Sequence, residues 1–542
     1  MNADRVVPKI ILAETTEFQQ VPPLFERTVR AFAWRFISEW SRFGLQLAVM
    51  IVLARLLPVE SFGLLTIAMI FINFALKAQL GVSSAIVQAN EITRTYIRVA
   101  FSLSVLSGII LTVVIWFCAP VAAAIFGAGA IASVLRLMSI SFLLTSFGAI
   151  AEALLERKLN YRRLLTVEIF SYGIGYCFIG IMLALMDYGV WALAWASVIY
   201  SFLKTCLLIS VSPHAWWPSF ARSERSKLLN FGTGTSLSRL ANFAAANGDY
   251  FVVGRWLGAT ALGLYSRAFQ LMSLPMYQFS SVISCVLFPA YAKIQNDTDR
   301  LKRAYLGAVC LSFLVILPAL TTLAVAAPDL IAAGFGASWT GATLPLQILC
   351  IGGVFQCMYN LGDSLARAKG AVYWKLWCPT VYAVCVFVAS LIGSRWGITG
   401  VATGVVIAMS IIYILMARLS LYLTHASWTE FFLAQLPGTI VAANVAAVAT
   451  PTAMLLRSTR LPHLIILVII LVLSLTSAFT VGMLVPRVWL DRVSHGAVEK
   501  ARRWSCHIPV SVRPITSLRN FLDQNKSPQG ISFLHRYLSQ KS

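Results

Sequence analysis

The chain has 542 residues, 58% of them apolar, a mean hydropathy of +0.78 and a formal charge of +22. So apolar a chain lacks the polar surface that a water-soluble globule needs, which makes it a polytopic membrane protein. Its positive charge sits in short loops and a tail, so a nucleic-acid partner is not expected.

The first thirty residues carry Arg5, Lys9, Glu14, Glu17, Glu26, Arg27 and Arg30. They hold no apolar core flanked by a small-residue cleavage site, so the first helix is expected to act as an uncleaved anchor. Apolar stretches of the roughly 20 residues that a bilayer requires run over 33–57, 62–88, 97–118, 131–155, 166–186 and 189–211. After a polar connection come 232–254, 262–288, 304–327, 342–366, 372–393 and 397–423, then 431–455 and 463–486. The predicted fold is all-α, with about fourteen transmembrane helices.

These spans give a cytoplasmic N-terminal segment (1–32), an N-lobe of helices 1–6 (33–211) and a cytoplasmic connection (212–231). A C-lobe of helices 7–12 (232–423), two extra helices (424–486) and a basic cytoplasmic tail (487–542) follow.

The two lobes repeat one another. Arg55, Leu57, Gly63 and Leu64 recur as Arg255, Leu257, Gly263 and Leu264, an offset of 200 residues. Ala119-Pro120 with Phe126-Gly127 recurs as Ala327-Pro328 with Phe335-Gly336, and Gly189-Val190 as Gly397-Ile398, at offsets of 208 to 209. Six helices per copy is an even number, so both insert with one orientation and a pseudo-twofold axis runs along the membrane normal.

Lysine and arginine set that orientation. With a cytoplasmic N-terminus, the inside loops hold seventeen basic residues, from Arg94 to Arg418, and the outside loops hold Arg55, Arg255, Arg395, Arg457 and Arg460. The tail from Arg487 adds ten basic residues against Asp491, Glu499 and Asp523, and is expected to lie against anionic lipid in the cytoplasm. Both termini are predicted to lie on the cytoplasmic side.

Charges within spans are costly, so they usually face water or a partner. In the first helix Arg35, Ser38, Glu39, Arg42 and Gln46 fall within a stripe about 100° wide. The seventh helix repeats it with Thr235, Ser238, Arg239, Asn242 and Asp249. The two stripes are expected to line a shared cavity, with Arg35, Arg42, Arg239 and Asn242 as its anion contacts and Lys77 and Arg136 extending the basic lining. The alternative for Arg35, Glu39 and Arg42 is that they snorkel to the interface and pair with one another. Asp249 is the candidate for ion coupling, because a carboxylate at membrane depth can take up a proton or a sodium ion as its exposure changes. Its alternative is a solvated place at the outer rim, or a pair with Arg255 or Arg267. Asp363 and Arg367, four apart, are expected to form a local ion pair.

The ten cysteines are scattered and form no CxxC, and all six histidines fall in loops or the tail, so neither a metal site nor a cofactor is expected. Phosphate-binding loops, nucleophile elbows and long loops able to carry catalysis are absent from the sequence, so no enzyme activity is expected.

The run ARLLPVESFGLL (Ala54 to Leu65), the stretch GVSSAIVQ (Gly81 to Gln88) and above all Gly248 to Gln295, GDYFVVGRWLGATALGLYSRAFQ onward, carry a resemblance. Over roughly residues 33–425 the chain resembles the polysaccharide transporter family of the multidrug/oligosaccharidyl-lipid/polysaccharide exporter superfamily, in particular its colanic-acid exporter type. The resemblance implies a two-lobed bundle with a V-shaped cavity that faces each side in turn. It implies as substrate an O-antigen or exopolysaccharide repeat unit on undecaprenyl diphosphate, and as candidate partners a polymerase and a chain-length protein besides the membrane lipids. A multidrug or cation exporter of the same superfamily is the alternative, and would favour acidic or aromatic lining over arginines. A membrane polymerase would need a long external loop.

Overall fold

The computed structural model describes residues 24–78, 82–89, 92–213, 219, 221, 243, 247–370, 372–459 and 461–484, and contains no strand among them. Helix α1 (Leu24–Leu56) turns at Pro58 into α2 (Val59–Ala78). The chain resumes helix as α3 (Val82–Gln88), followed by α4 (Arg94–Phe126) and α5 (Ala130–Arg157). Helix α6 starts as Tyr161–Tyr172, widens into a π-helical segment, Gly173–Gly180, and ends as Ile181–Leu185. Helix α7 is Val190–Val211.

The second half opens with α8 (Gly248–Val252, then π-helical Val253–Leu257) and α9 (Gly258–Lys293). It continues with α10 (Thr298–Leu330, then π-helical Ile331–Phe335), α11 (Thr343–Ala368), α12 (Val372–Gly393) and α13 (Gly397–Thr424). Helices α14 (Trp428–Ser458) and α15 (His463–Leu484) complete it.

Ten of the described stretches are long and apolar enough to cross a membrane, and one of these, Thr380–Thr424, contains two helices. Helices α1 and α9, of 33 and 36 residues, are long enough to span but lie outside that count. The set agrees with the expected number of about fourteen.

The predicted span 62–88 is helical over its described parts, 62–78 in α2 and 82–88 in α3, while residues 79–81 lie outside the described residues. Helix α3 packs with Val82, Ala85 and Ile86 buried against Tyr96, Val99, Ala100, Ile150 and Ala153. Arg157 holds its C-terminus by donating to the Ile86 carbonyl at 3.0 Å and to that of Ala89.

The repeat is visible in the backbone. Gly127 and Gly336 both have positive φ (65° and 97°), as do Gly189 and Gly397 (55° and 71°). Each pair occupies the same turn in its half, where a side chain would be strained. That conformational need accounts for the repeated glycines.

The halves meet where α2 crosses α9. A Cβ on Gly63 would stand 1.7 Å from the Ala259 carbonyl oxygen, and one on Gly263 would stand 2.4 Å from that of Val59. Val59 with Ala259 and Gly63 with Gly263 are themselves related by the repeat offset, so the contact is reciprocal, as at a twofold axis. Thr66 and Ser266, again one offset apart, meet on that axis at 3.3 Å. Small residues let two backbones approach where lipid offers no hydrophobic drive for association.

Helices α14 and α15 pack outside α10. A Cβ on Gly438 would lie 2.4 Å from the Phe313 backbone, and ion pairs hold both ends of the α10–α14 contact: Lys302 with Glu430 at 2.7 Å and Arg457 with the buried Asp329 at 2.7 Å. His463, opening α15, approaches the other Asp329 oxygen at 3.0 Å.

Candidate functional site

The face carrying the Pro58 turn, predicted to be external, is closed by contacts between the halves. Arg55 donates to the Gly334 carbonyl at 2.8 Å and to that of Ala333, and the Trp339 indole donates to the Ala54 carbonyl at 2.9 Å. Phe62 packs edge-on against Trp339 at 5.2 Å, and Phe126 against Phe251 at 5.3 Å. A plug of aromatic rings and backbone-bonded arginine therefore seals the crossing of α2 and α9.

Arg267 lies just beneath this plug. Its guanidinium is 4.9 Å from the centre of the Phe62 ring, donates to Gln270 and stands 3.5 Å from the Met50 sulfur. Met50 and Phe62 belong to the first half and Arg267 to the second, so the cation sits on the seam. Tyr172, Tyr176 and Tyr250 lie within electrostatic range of it. Among the described residues it pairs with no carboxylate, and its buried Nε has no hydrogen-bond acceptor. A desolvated guanidinium with free donor capacity is a receptor for an anion with two or more oxygens.

Asp249 is buried, at 2% exposure, on the short helix α8. The Tyr265 hydroxyl donates to one of its oxygens at 2.8 Å, and the other oxygen has no hydrogen-bond partner among the described residues. It is thus neither at a solvated rim nor paired with an arginine: Arg255 lies over the Trp256 ring at 5.9 Å, and Arg267 turns to Gln270. Six residues apart at about 100° per residue, Asp249 and Arg255 face different sides of their helix.

The other predicted contacts are dispersed. Arg42 reaches Glu168 of α6 at 4.0 Å, inside its own half. Arg136, near the start of α5, lies 5.7 Å over the Trp116 ring of α4, and its Nε is buried without a partner. Arg35 and Lys77 lie on α1 and α2, but their side chains are outside the described residues, as are Arg239 and Asn242 entirely. Asp363 and Arg367 form the expected i,i+4 pair at 3.1 Å.

A charged cluster not anticipated from the sequence joins α1, α5, α6 and α7. Lys204 bridges Glu152 at 3.0 Å and Glu168 at 3.5 Å, and the Tyr200 hydroxyl donates to Glu168 at 2.8 Å. Glu152, Glu168 and Lys204, with Arg42, Glu156 and Tyr161, border a cavity of about 150 Å³. The signal was available, since Glu152, Glu168 and Lys204 are isolated charges inside three predicted spans, and charges that deep seek one another. Among the described residues no group of histidine, cysteine and carboxylate has the arrangement of a metal site.

Comparison with known proteins bears on this arrangement. A family model described as "Polysaccharide biosynthesis protein" matches residues 52–344. The chain is 28% identical over 321 residues to the teichuronic acid biosynthesis protein TuaB of Bacillus subtilis (strain 168), covering 58% of this chain and 66% of that protein. It is 26% identical over 392 residues to the lipopolysaccharide biosynthesis protein WzxC of Escherichia coli (strain K12), covering 70% and 78%. To the succinoglycan biosynthesis transport protein ExoT of Rhizobium meliloti (strain 1021) it is 27% identical over 361 residues, covering 66% and 73%. Among solved structures, the lipid II flippase MurJ in an inward closed conformation superposes with a TM-score of 0.66 at 17% identity, over 85% of this chain and 99% of that one. An inward-facing multidrug resistance transporter of the MATE family gives 0.56 at 16% identity, over 74% and 95%. Both establish a shared transporter fold.

Proposed function

Because the chain belongs to the family of polysaccharide biosynthesis proteins, we propose that it is a flippase for oligosaccharide repeat units carried on undecaprenyl diphosphate. It is a transporter and not an enzyme: it moves its substrate across the inner membrane by alternating access and makes or breaks no covalent bond. Relatives named for lipopolysaccharide biosynthesis and succinoglycan transport support the glycan class. A solved neighbour named as a lipid II flippase supports a lipid-linked cargo.

The observation that carries the reading is Arg267. A diphosphate must shed water to cross, and a half-buried guanidinium whose Nε has no acceptor replaces that water with bidentate hydrogen bonds. At the seam between halves it can follow the anion while one half rocks against the other, and the prenyl chain stays in lipid. Arg35, Arg42, Arg239, Asn242, Lys77 and Arg136 remain the proposed anion contacts along the route. An exporter of cationic drugs, the alternative, would place the like charge of Arg267 against its cargo at the seam.

In this reading residues 33–211 and 232–423 are the rocking lobes, and the N-terminus and the tail after Arg487 lie in the cytoplasm. The closed face is then external and the cavity is open inward. Asp249 is the proposed coupling group, with proton and sodium as its two candidate ions. A polymerase and a chain-length protein are proposed as partners.

The test is export of polymer by cells whose only copy carries Arg267→Ala. Export is expected to be lost while the protein still inserts, and Arg267→Lys is expected to restore it in part, because the charge returns without the fork. Full export by the alanine variant would remove Arg267 from the substrate path.

A further inference from the structure

We propose that the cavity between α1, α5, α6 and α7 is a binding subsite for a single uncharged hexose ring of the glycan head group. The proposal rests on the flippase reading for the identity of the larger cargo, but the site is argued from its own chemistry. Its volume of about 150 Å³ is that of a cavity able to admit one six-membered ring.

The wall offers both acceptors and donors. Glu152, Glu156 and Glu168 are carboxylates; Arg42, Tyr161 and Lys204 carry N–H or O–H groups. A sugar hydroxyl gives one hydrogen bond and accepts others, so a mixed wall suits it better than a wall of one kind. Glu168 is fixed in advance by Tyr200 at 2.8 Å and by Lys204 at 3.5 Å, which lowers the ordering cost of binding. Side-chain exposures of 45% for Arg42 and 38% for Glu152 leave the wall open to water.

Among the described residues three carboxylates share the wall with two permanent cations, a balance that favours a neutral ring over a phosphate or uronate. The diphosphate belongs instead at Arg267. A line of tyrosines joins the two places: Tyr200, bonded to Glu168, lies 5.9 Å from Tyr172 and 6.0 Å from Tyr176, which stack on each other at 4.7 Å within range of Arg267. Sugar and diphosphate of one molecule can therefore occupy the cavity and the seam together, with aromatic faces between.

Saturation-transfer NMR on the purified full chain, using methyl hexopyranosides and the corresponding methyl uronosides as probes, tests this without any lipid-linked substrate. Hexosides should bind the wild type and uronosides should bind less well. Leu165→Trp, which fills the cavity without altering charge, and Glu168→Gln should each weaken hexoside binding about tenfold. Retained binding of inorganic pyrophosphate by Leu165→Trp would show that this variant is folded. No hexoside binding by the wild type, or equal binding by wild type and a folded Leu165→Trp, overturns the subsite whatever lipid transport assays give. Cavity-dependent hexoside binding by a chain that fails to move lipid-linked glycan would sustain the subsite and sink the flippase reading.

Discussion

A buried carboxylate and a half-buried guanidinium lie in the second half, each on its own terms. Asp249 has a single tyrosine donor and a second oxygen left over, so the ionised form is incompletely satisfied. Asp249→Asn keeps the shape and removes the titration. Gradient-driven flipping in proteoliposomes should lose its dependence on pH or sodium in that variant, and wild-type dependence would exclude Asp249 from coupling. Asp249 was legible in the sequence because it is a lone carboxylate in an apolar span, but Tyr265 was not, since it comes from the next helix. Arg267 enters the sequence reading only as a possible partner of Asp249, because its surroundings come from Met50 and Phe62, some two hundred residues earlier. Lys204 and its two glutamates show the same limit: each charge is visible alone, and their meeting depends on how α5, α6 and α7 pack.

At the level of helices, the crossing of α2 and α9 leaves no room for a side chain at Gly63 or Gly263. Gly63→Val should push the halves apart on that face, because backbone atoms rather than a movable side chain stand in the way. A cysteine at Thr66 should then react with an impermeant thiol reagent added outside, and should resist it when Gly63 is kept. Equal labelling in both would show that the crossing is not the seal. The extra pair of helices is held differently. Asp329 is wholly buried against Arg457 and His463, so Asp329→Asn leaves an arginine without its counter-charge, at a cost of about 3 kcal/mol. The melting temperature of the purified protein should fall, and should not fall for Arg300→Gln, whose pair with Asp297 is exposed. The sequence shows helix positions and the repeat because both depend on local apolar periodicity and on turn glycines. It hides which residues a short helix packs on, since the neighbours that bury Val82 and Ile86 come from α4 and α5.

Among the described residues, Arg55, Phe62, Phe126 and Trp339 join the halves on the Pro58 face, and Phe74 meets Phe243 at 6.2 Å further in. With that face external, as proposed, the molecule would take its cargo from the cytoplasm. Cysteines at His425 and Arg460 should label from opposite sides, and labelling of both from one side would break the fourteen-helix topology. The most direct measurement is flipping by the purified protein in proteoliposomes, followed with an undecaprenyl-diphosphate oligosaccharide whose sugar becomes accessible to an added enzyme only after crossing. The wild type should speed its exposure well above protein-free vesicles, and Arg267→Ala should return the rate to that background. A wild-type rate no faster than empty vesicles, in a preparation shown to be folded, would contradict the account.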